Sequence, residues 1–163
     1  MKKDISLLHI VGYTFTVALG TVLHFLYQWT DKSIYVSPFS AINESTWEHM
    51  KILFIPLLIF SIIEYFTNNK GNTEYVCSRA KSILLAIWSI PLMFYTYNGI
   101  IGKSSALINI AIFFISAVIP FVNNKDKNKH CGIYILLLII NAIAFVVFTY
   151  YQPMLELFRN PLA

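Results

Sequence analysis

Charged side chains are scarce in this chain. Only 12% of its 163 residues are Asp, Glu, Lys or Arg, whereas 57% are hydrophobic, and the mean hydropathy is +0.63. A soluble domain carries roughly a quarter charged residues because its surface faces water. So few charges exclude a water-soluble domain of this length, and the expected partner for most of the surface is a lipid bilayer.

Several motifs that would indicate a function are also absent. The sequence has no G-x-S-x-G, no H-E-x-x-H and no Walker phosphate-binding loop. The net charge of +4 comes from Lys and Arg in short connections, so nucleic acid is not an expected partner. The two cysteines, Cys77 and Cys131, have no metal-type spacing. Both fall in connections assigned to the cytoplasmic side, where reducing conditions argue against a disulfide.

Five apolar stretches are long enough, or nearly so, to cross a bilayer core about 30 Å thick, which needs about 20 helical residues. We therefore predict an all-α, polytopic transmembrane helical bundle that forms one domain over residues 1–163. The second stretch is the weakest because Glu64 interrupts it between Lys51 and Lys70. The expected spans are residues 5–30, 47–67, 82–102, 104–124 and 131–152.

Basic residues are distributed unequally between the two ends of this bundle. Eight of the twelve Lys and Arg fall at the N-terminus, in residues 68–81 and in residues 123–130. The positive-inside rule then predicts a cytoplasmic N-terminus and an extracytoplasmic C-terminus, which requires an odd number of crossings. The excess of Lys over Arg, with abundant Ile and Asn, suggests an AT-rich bacterial genome and hence a bacterial cytoplasmic membrane.

Prolines and glycines predict details of the helices. Prolines inside the second, third and fourth spans are expected to kink them, because each removes a backbone donor. Glycines in the first span and at the end of the third are expected to let helices approach closely. The prolines are Pro56, Pro91 and Pro120, and the glycines are Gly12, Gly20, Gly99 and Gly102.

The outer side is expected to carry short interfacial elements. Ser37-Pro38 is typical of the first residues of a helix. The tail from Pro153 to Phe158 is predicted to lie as an amphipathic turn on the outer surface. Trp29 and Trp47 fall at the predicted outer interface, where indole rings are enriched.

The densest polar run is N-E-S-T-W-E-H, Asn43 to His49, just before the second span. On a helix, Glu44 and Glu48 would lie on one face and repel each other unless a cation, a protonated histidine or a shared proton lay between them. Antiparallel packing of the first two spans places His24 at the depth of Glu48. The sequence thus predicts an outward-facing site made of His24, Glu44, Glu48 and His49, with Asn43 adjoining it.

Other polar residues within the spans are secondary candidates. Asn109 and Asn141 would extend the outward-facing site, and Asn141, at the middle of the fifth span, is expected to point inward to another helix. The same hairpin register places His9 at the depth of Glu64, which gives a second polar pair near the inner interface. Alternatively, Glu64 snorkels toward the headgroups.

Three functions remain open. The first is binding or passage of a small solute, ion or lipid at the polar site, within one chain or between protomers of a homo-oligomer. The second is a membrane-embedded hydrolase, with a divalent metal held by His24, Glu44, Glu48 and His49. The third is an accessory subunit of a partner membrane protein, in which Ser45-x-x-Glu48 is simply a capping box.

The segment from His24 to Pro56 carries a family resemblance. Its H-F-L-Y-x-W and S-P-F-S-A-I-N-E-S-T-W-E-H-M-K-I-L-F-I-P are similar to the central motif of a family of small bacterial membrane proteins, common in Firmicutes, known only as a domain of unknown function. The similarity continues through Y-T-Y-N-G-I-I-G, Tyr95 to Gly102. This chain has Asn109 and F-R-N-P (158–161) where the family has aspartates, so a site that used them is altered here. The resemblance implies no activity.

Overall fold

The protein folds into five α-helices, as a computed structural model that describes residues 7–122 and 131–161 shows. The predicted all-α class is therefore confirmed. The third helix begins before its predicted span, while the predicted limits at residues 5 and 124, and the basic residues of 123–130, lie outside the described ranges. The helices are α1 (Leu7–Trp29), α2 (Thr46–Asn68), α3 (Thr73–Ile101), α4 (Ala106–Val122) and α5 (Cys131–Tyr150).

Four of these helices, α1, α2, α3 and α5, are long and apolar enough to cross a membrane. The fourth, α4, is apolar but has only 17 residues, which lies at the lower limit of roughly 17–25 residues for a spanning helix. Large hydrophobic side chains are exposed along the described helices, among them Leu92 and Leu107. Several crossings of a bilayer are therefore indicated, and the fifth crossing stays a prediction.

Four helices close a ring. The first, α1, packs against α2 and α4, and α3 packs against the same two helices from the other side. The fifth helix lies outside this ring against α3. Its side chains also contact α2, since the Phe145 and Trp47 rings pack in a tilted arrangement with centroids 4.7 Å apart. Within α5, only Asn141, Phe145 and Thr149 are buried.

The second helix lies at the centre of the bundle, although charged residues interrupt its sequence. Half of its most apolar window is buried, more than in any other candidate span. Gly12 and Gly20 of α1 allow close approach, as predicted, because a Cβ at Gly20 would lie 2.6 Å from the Phe113 ring and 3.2 Å from the Ile52 carbonyl oxygen. The same expectation for Gly99 is wrong, since nothing lies within 4 Å of its Cβ position.

Gly102 also has a different role from the predicted one. It ends α3 in the left-handed conformation, with φ of 76° and its N–H bonded to the carbonyl of Asn98, which is the usual glycine helix stop. The three prolines lie inside α2, α3 and α4. The kinks expected at these prolines stay predictions.

The connection between α1 and α2 and the C-terminal tail differ from the short interfacial elements expected on the outer side. Residues 34–39 form turns instead of a helix, because their backbone carbonyls are used by neighbouring turns and by side chains from the bundle. The tail forms a 3₁₀ turn at Glu156–Phe158 and buries Phe158 against Trp47, with ring centroids 5.0 Å apart. Trp47 is thus 4% exposed and lies inside the protein, not at the interface, whereas Trp29 is 66% exposed.

Cys77 and Cys131 form a disulfide, so the expectation of two unpaired cysteines is wrong. Their Cα atoms are 4.8 Å apart, and the bond joins the first turns of α3 to the first residue of α5. The expectation relied on the assigned compartment and not on distance. Both residues lie at the same end of the bundle, where α3 and α5 pack against each other.

Glu64 pairs with α3 and does not snorkel. Its Oε2 contacts the Arg79 guanidinium and accepts a hydrogen bond from the Tyr75 hydroxyl at 2.9 Å. Arg79 also donates to the Pro120 carbonyl at 2.6 Å and lies over the Phe121 ring. The buried carboxylate is thereby compensated inside the bundle, which is why α2 tolerates it.

Candidate functional site

Three donor side chains converge at the end of the bundle where α2 begins. His24 comes from α1, His49 from the first turn of α2, and Glu44 from the connection that precedes α2. His24 Nε2 lies 3.5 Å from Glu44 Oε1, and His49 Nε2 lies 3.9 Å from Glu44 Oε2. One ligand atom from each residue lies within 4.8 Å of the other two. We refer to His24, Glu44 and His49 as the three-donor site.

The orientation of His49 favours ligation. Its Nδ1 lies 2.9 Å from the carbonyl oxygen of Ser45, an acceptor only, so the proton is on Nδ1. In the neutral imidazole the lone pair is then on Nε2, the atom that lies 3.9 Å from Glu44 Oε2. A histidine that ligates a metal usually donates its other ring N–H to a carbonyl or carboxylate in this way. Helix α2 supplies the geometry, because residues 45 and 49 are one turn apart.

Hydrogen bonds of the Asn43 and Ser45 side chains hold the loop that carries Glu44. Asn43 Oδ1 accepts from the Ser45 N–H at 2.9 Å, and the Asn43 amide donates to Gln152 Oε1 at 3.3 Å. Ser45 caps α2 by accepting from the Glu48 N–H. Asn43 therefore positions the neighbouring glutamate and does not itself belong to the donor set.

Glu48 does not join the site. The helix begins at Thr46, so Glu44 lies outside it and the two glutamates do not share a helix face as expected. Glu48 Oε2 instead contacts Lys51 Nζ at 2.7 Å and accepts from the Ile42 N–H at 3.1 Å. Half of the capping-box reading is correct, because Ser45 caps the helix, but the Glu48 carboxylate bonds Ile42 and not the cap residue.

Lys51 is fully buried and its ammonium group is fully used. Besides Glu48 it donates to the Ser37 carbonyl at 2.9 Å and to the Thr149 hydroxyl at 2.8 Å. This network ties α2 to the outer connection and to α5. Because Glu48 also accepts from the Ile42 N–H, the network holds in place the residues that precede Glu44.

Two cavities adjoin the three-donor site. The first, the apolar groove, has a volume of about 210 Å³ and ends at His24 and His49. The second, the polar cleft, is smaller and lies between Glu44, His49 and Asn109. The walls of the apolar groove are Gly20, Thr21, Phe25, Ile52, Ile110, Phe113 and Phe114.

Comparison with known proteins assigns a family. Residues 2–163 match the family of unknown function DUF6512. The chain belongs to this family. No curated protein and no solved structure matches it. The predicted membership of a family of unknown function is thus confirmed, and function in this DUF6512 chain has to be argued from the site itself.

The remaining candidates of the DUF6512 chain lie at different places. Asn109 faces the polar cleft, where it accepts from the Tyr97 hydroxyl and donates to Ser104 Oγ at 3.2 Å. Asn141 is buried, but the hydrogen bond of its amide goes to the Leu137 carbonyl of its own helix at 2.8 Å. His9 is half-buried in α1. Its pairing with Glu64 stays a prediction, and Glu64 itself contacts Arg79.

Sequence reasoning missed two features of this DUF6512 site. No buried network around Lys51 is predicted from the sequence, because its acceptors on Ser37 and Thr149 are distant in sequence. The hydrogen bond from the Tyr97 hydroxyl to Asn109 is not predicted either, although Tyr97 lies in the Y-T-Y-N-G segment of the family resemblance. For Lys51 a signal existed, since a lysine three residues after a glutamate on one helix face can pair with it.

Proposed function

We propose that this protein is a multi-pass membrane protein that binds a divalent transition-metal ion at the three-donor site. Two neutral imidazoles and one carboxylate carry a net charge of −1, which favours a cation. Nitrogen donors suit Zn²⁺ and its neighbours, whereas Ca²⁺ and Mg²⁺ prefer an all-oxygen set. Three protein ligands leave one coordination position open, as in zinc sites that bind a further ligand.

The observation that supports this proposal most strongly is the contact between His49 Nδ1 and the Ser45 carbonyl. A histidine that served only as an ion-pair partner for Glu44 would need a proton on Nε2. The contact places a proton on Nδ1, so that His49, when neutral, presents its Nε2 lone pair to the centre of the site. This preorganisation is expected of a ligand and is not required of a helix cap.

The experiment is metal binding by the purified, metal-stripped protein in a nonionic detergent. Titration with Zn²⁺ should give one site per chain, and His24→Ala, His49→Ala and Glu44→Gln should each weaken it by at least 100-fold. His9→Ala removes a histidine from the opposite end of α1 and should leave the affinity unchanged. Absence of a saturable site in the unmodified protein, or equal loss in the His9 variant, would refute the proposal.

Two alternatives are weaker. The donor set also occurs in catalytic zinc sites, but hydrolysis would need a general base, and the next carboxylate, Glu48, is engaged by Lys51 and Ile42. A purely structural role would leave Zn²⁺ without effect on stability. Binding predicts instead that Zn²⁺ raises the midpoint of thermal unfolding, because a ligand that binds only the folded state stabilises it.

We further propose five crossings with a cytoplasmic N-terminus in a bacterial cytoplasmic membrane. The support is the excess of Lys and Arg at the N-terminal end of the bundle. The three-donor site then faces the extracytoplasmic side. The Cys77–Cys131 disulfide lies at the opposite end of the bundle, which this orientation assigns to the cytoplasm. Disulfides are rare in that compartment, so a bond that is intact in living cells would reverse the orientation.

A further inference from the structure

The apolar groove beside the three-donor site has features of a chain-binding site. It has an apolar wall along its length and two imidazoles, His24 and His49, at one end. Its lining is contributed by α1, α2 and α4. The apolar groove therefore lies directly beside the His24 and His49 imidazoles, two of the three side chains proposed above to hold a metal.

We propose that the groove binds a single-chain membrane amphiphile with an anionic oxygen headgroup, such as a fatty-acid carboxylate, which completes the coordination of the metal. This inference rests on the metal site proposed above. It names the occupant of the open coordination position.

Charge supports an anionic headgroup. With a divalent ion bound, two neutral imidazoles and the Glu44 carboxylate leave a net charge of +1 at the site. A carboxylate at the open position would neutralise that charge at a partly buried site, where the side chains of His24, His49 and Glu44 are 23%, 16% and 42% exposed. Opposite charges attract each other more strongly there than in bulk water, so an anionic ligand is favoured over a neutral one.

Shape and access support a single acyl chain. The volume of about 210 Å³ is below the roughly 300–1,000 Å³ of pockets that enclose a whole drug-sized ligand, so the groove holds one chain segment and not a complete two-chain lipid. Phe25 and Ile110 on its rim are 45% and 54% exposed. In a bilayer these side chains face acyl chains, so an amphiphile enters sideways from the membrane.

The test uses Co²⁺ as a spectroscopic metal in the purified full-length protein, in a maltoside detergent without acidic headgroups. Visible absorption of bound Co²⁺ reports both metal binding and a change in its fourth ligand. Laurate supplies the headgroup with a chain, and acetate supplies the headgroup alone. Each buried methylene raises affinity roughly fourfold, so laurate should change the spectrum at a concentration at least tenfold lower than acetate.

Matched variants on α4 locate the chain. Ile110→Trp fills the groove, whereas Ile115→Trp alters an equally exposed position of the same helix outside it. The first should weaken laurate by at least tenfold without changing acetate, and the second should change neither. If Ile110→Trp fails to fold, Thr21→Phe provides a second groove-filling change on α1.

The outcomes separate the two proposals. If no Co²⁺ spectrum develops in the unmodified protein, the metal site itself is wrong. If the spectrum develops but laurate and acetate act at the same concentration, or if groove filling leaves laurate unaffected, the amphiphile is wrong while the metal site stands.

Discussion

Replacing Lys51 by methionine should destabilise the bundle strongly. The variant keeps a similar chain length but removes the ammonium group that Glu48, Ser37 and Thr149 share. The Glu48 carboxylate, which is fully buried and has one oxygen without any partner, would then carry an uncompensated charge. Breaking a buried ion pair from one side costs about 3–5 kcal/mol.

The double variant decides whether the charge is the cause. Glu48→Gln together with Lys51→Met leaves no charge at these two positions, and the glutamine oxygen can still accept from the Ile42 N–H. The double variant should lose only about 1–3 kcal/mol, for the acceptors that Lys51 no longer serves. Its loss should therefore be smaller than the sum of the two single losses, which is the sign of direct coupling.

Equilibrium unfolding in mixed detergent micelles, followed by circular dichroism, measures these free energies. Lys103→Met is the matched control, because Lys103 is an exposed lysine at the same end of the bundle, and it should leave unfolding unchanged. A Lys51→Met loss below about 1 kcal/mol, or a double variant equal to the sum of the singles, would show that the buried pair does not hold the outer connection.

Three further results are expected. Gly20→Ala should destabilise by about 1–3 kcal/mol through overpacking against the Phe113 ring, whereas Gly99→Ala should be neutral or stabilising by up to about 1 kcal/mol; thermal unfolding compares them, and equal effects would contradict the close approach. Asn43→Ala should weaken Zn²⁺ binding about 10–100-fold by loosening the Glu44 loop, measured by titration; unchanged affinity would remove its positioning role. Cys77 and Cys131 are joined by a disulfide, and a membrane-permeant maleimide in intact cells, detected by mass shift, tests the assigned orientation; labelling only after reduction would reverse it, and labelling without reduction would support it.

Helix number was predictable from the sequence because long apolar stretches permit little else in a bilayer. The burial of α2 was not. Its charges looked like a defect in a span, yet Lys51 is neutralised by Glu48 on the same helix and Glu64 by Arg79 on α3. Hydropathy counts each charge as a cost, whereas the fold decides whether that charge has a partner.

The site was predicted in part for a related reason. Hairpin register brought His24 to the correct layer of the bundle, because depth in antiparallel helices follows from residue number. Register does not tell which way a side chain points. Because α2 begins at Thr46, Glu44 lies outside the helix and Glu48 lies inside it. The Ser45-x-x-Glu48 pattern carried that information, since a cap at Ser45 already placed Glu44 outside the helix.

The pairing of α2 with later parts of the chain has a consequence for biogenesis. When α2 reaches the membrane, Arg79 of α3 has not yet followed it, so the Glu64 carboxylate near the end of α2 lacks its partner. An unpaired charge at the centre of a spanning helix costs about 2.5–3.5 kcal/mol in insertion by the translocon, and less toward the helix end. Release of α2 alone into lipid is therefore unfavourable. The nascent chain is expected to stay at the insertion machinery until α3 has emerged and Arg79 can neutralise Glu64.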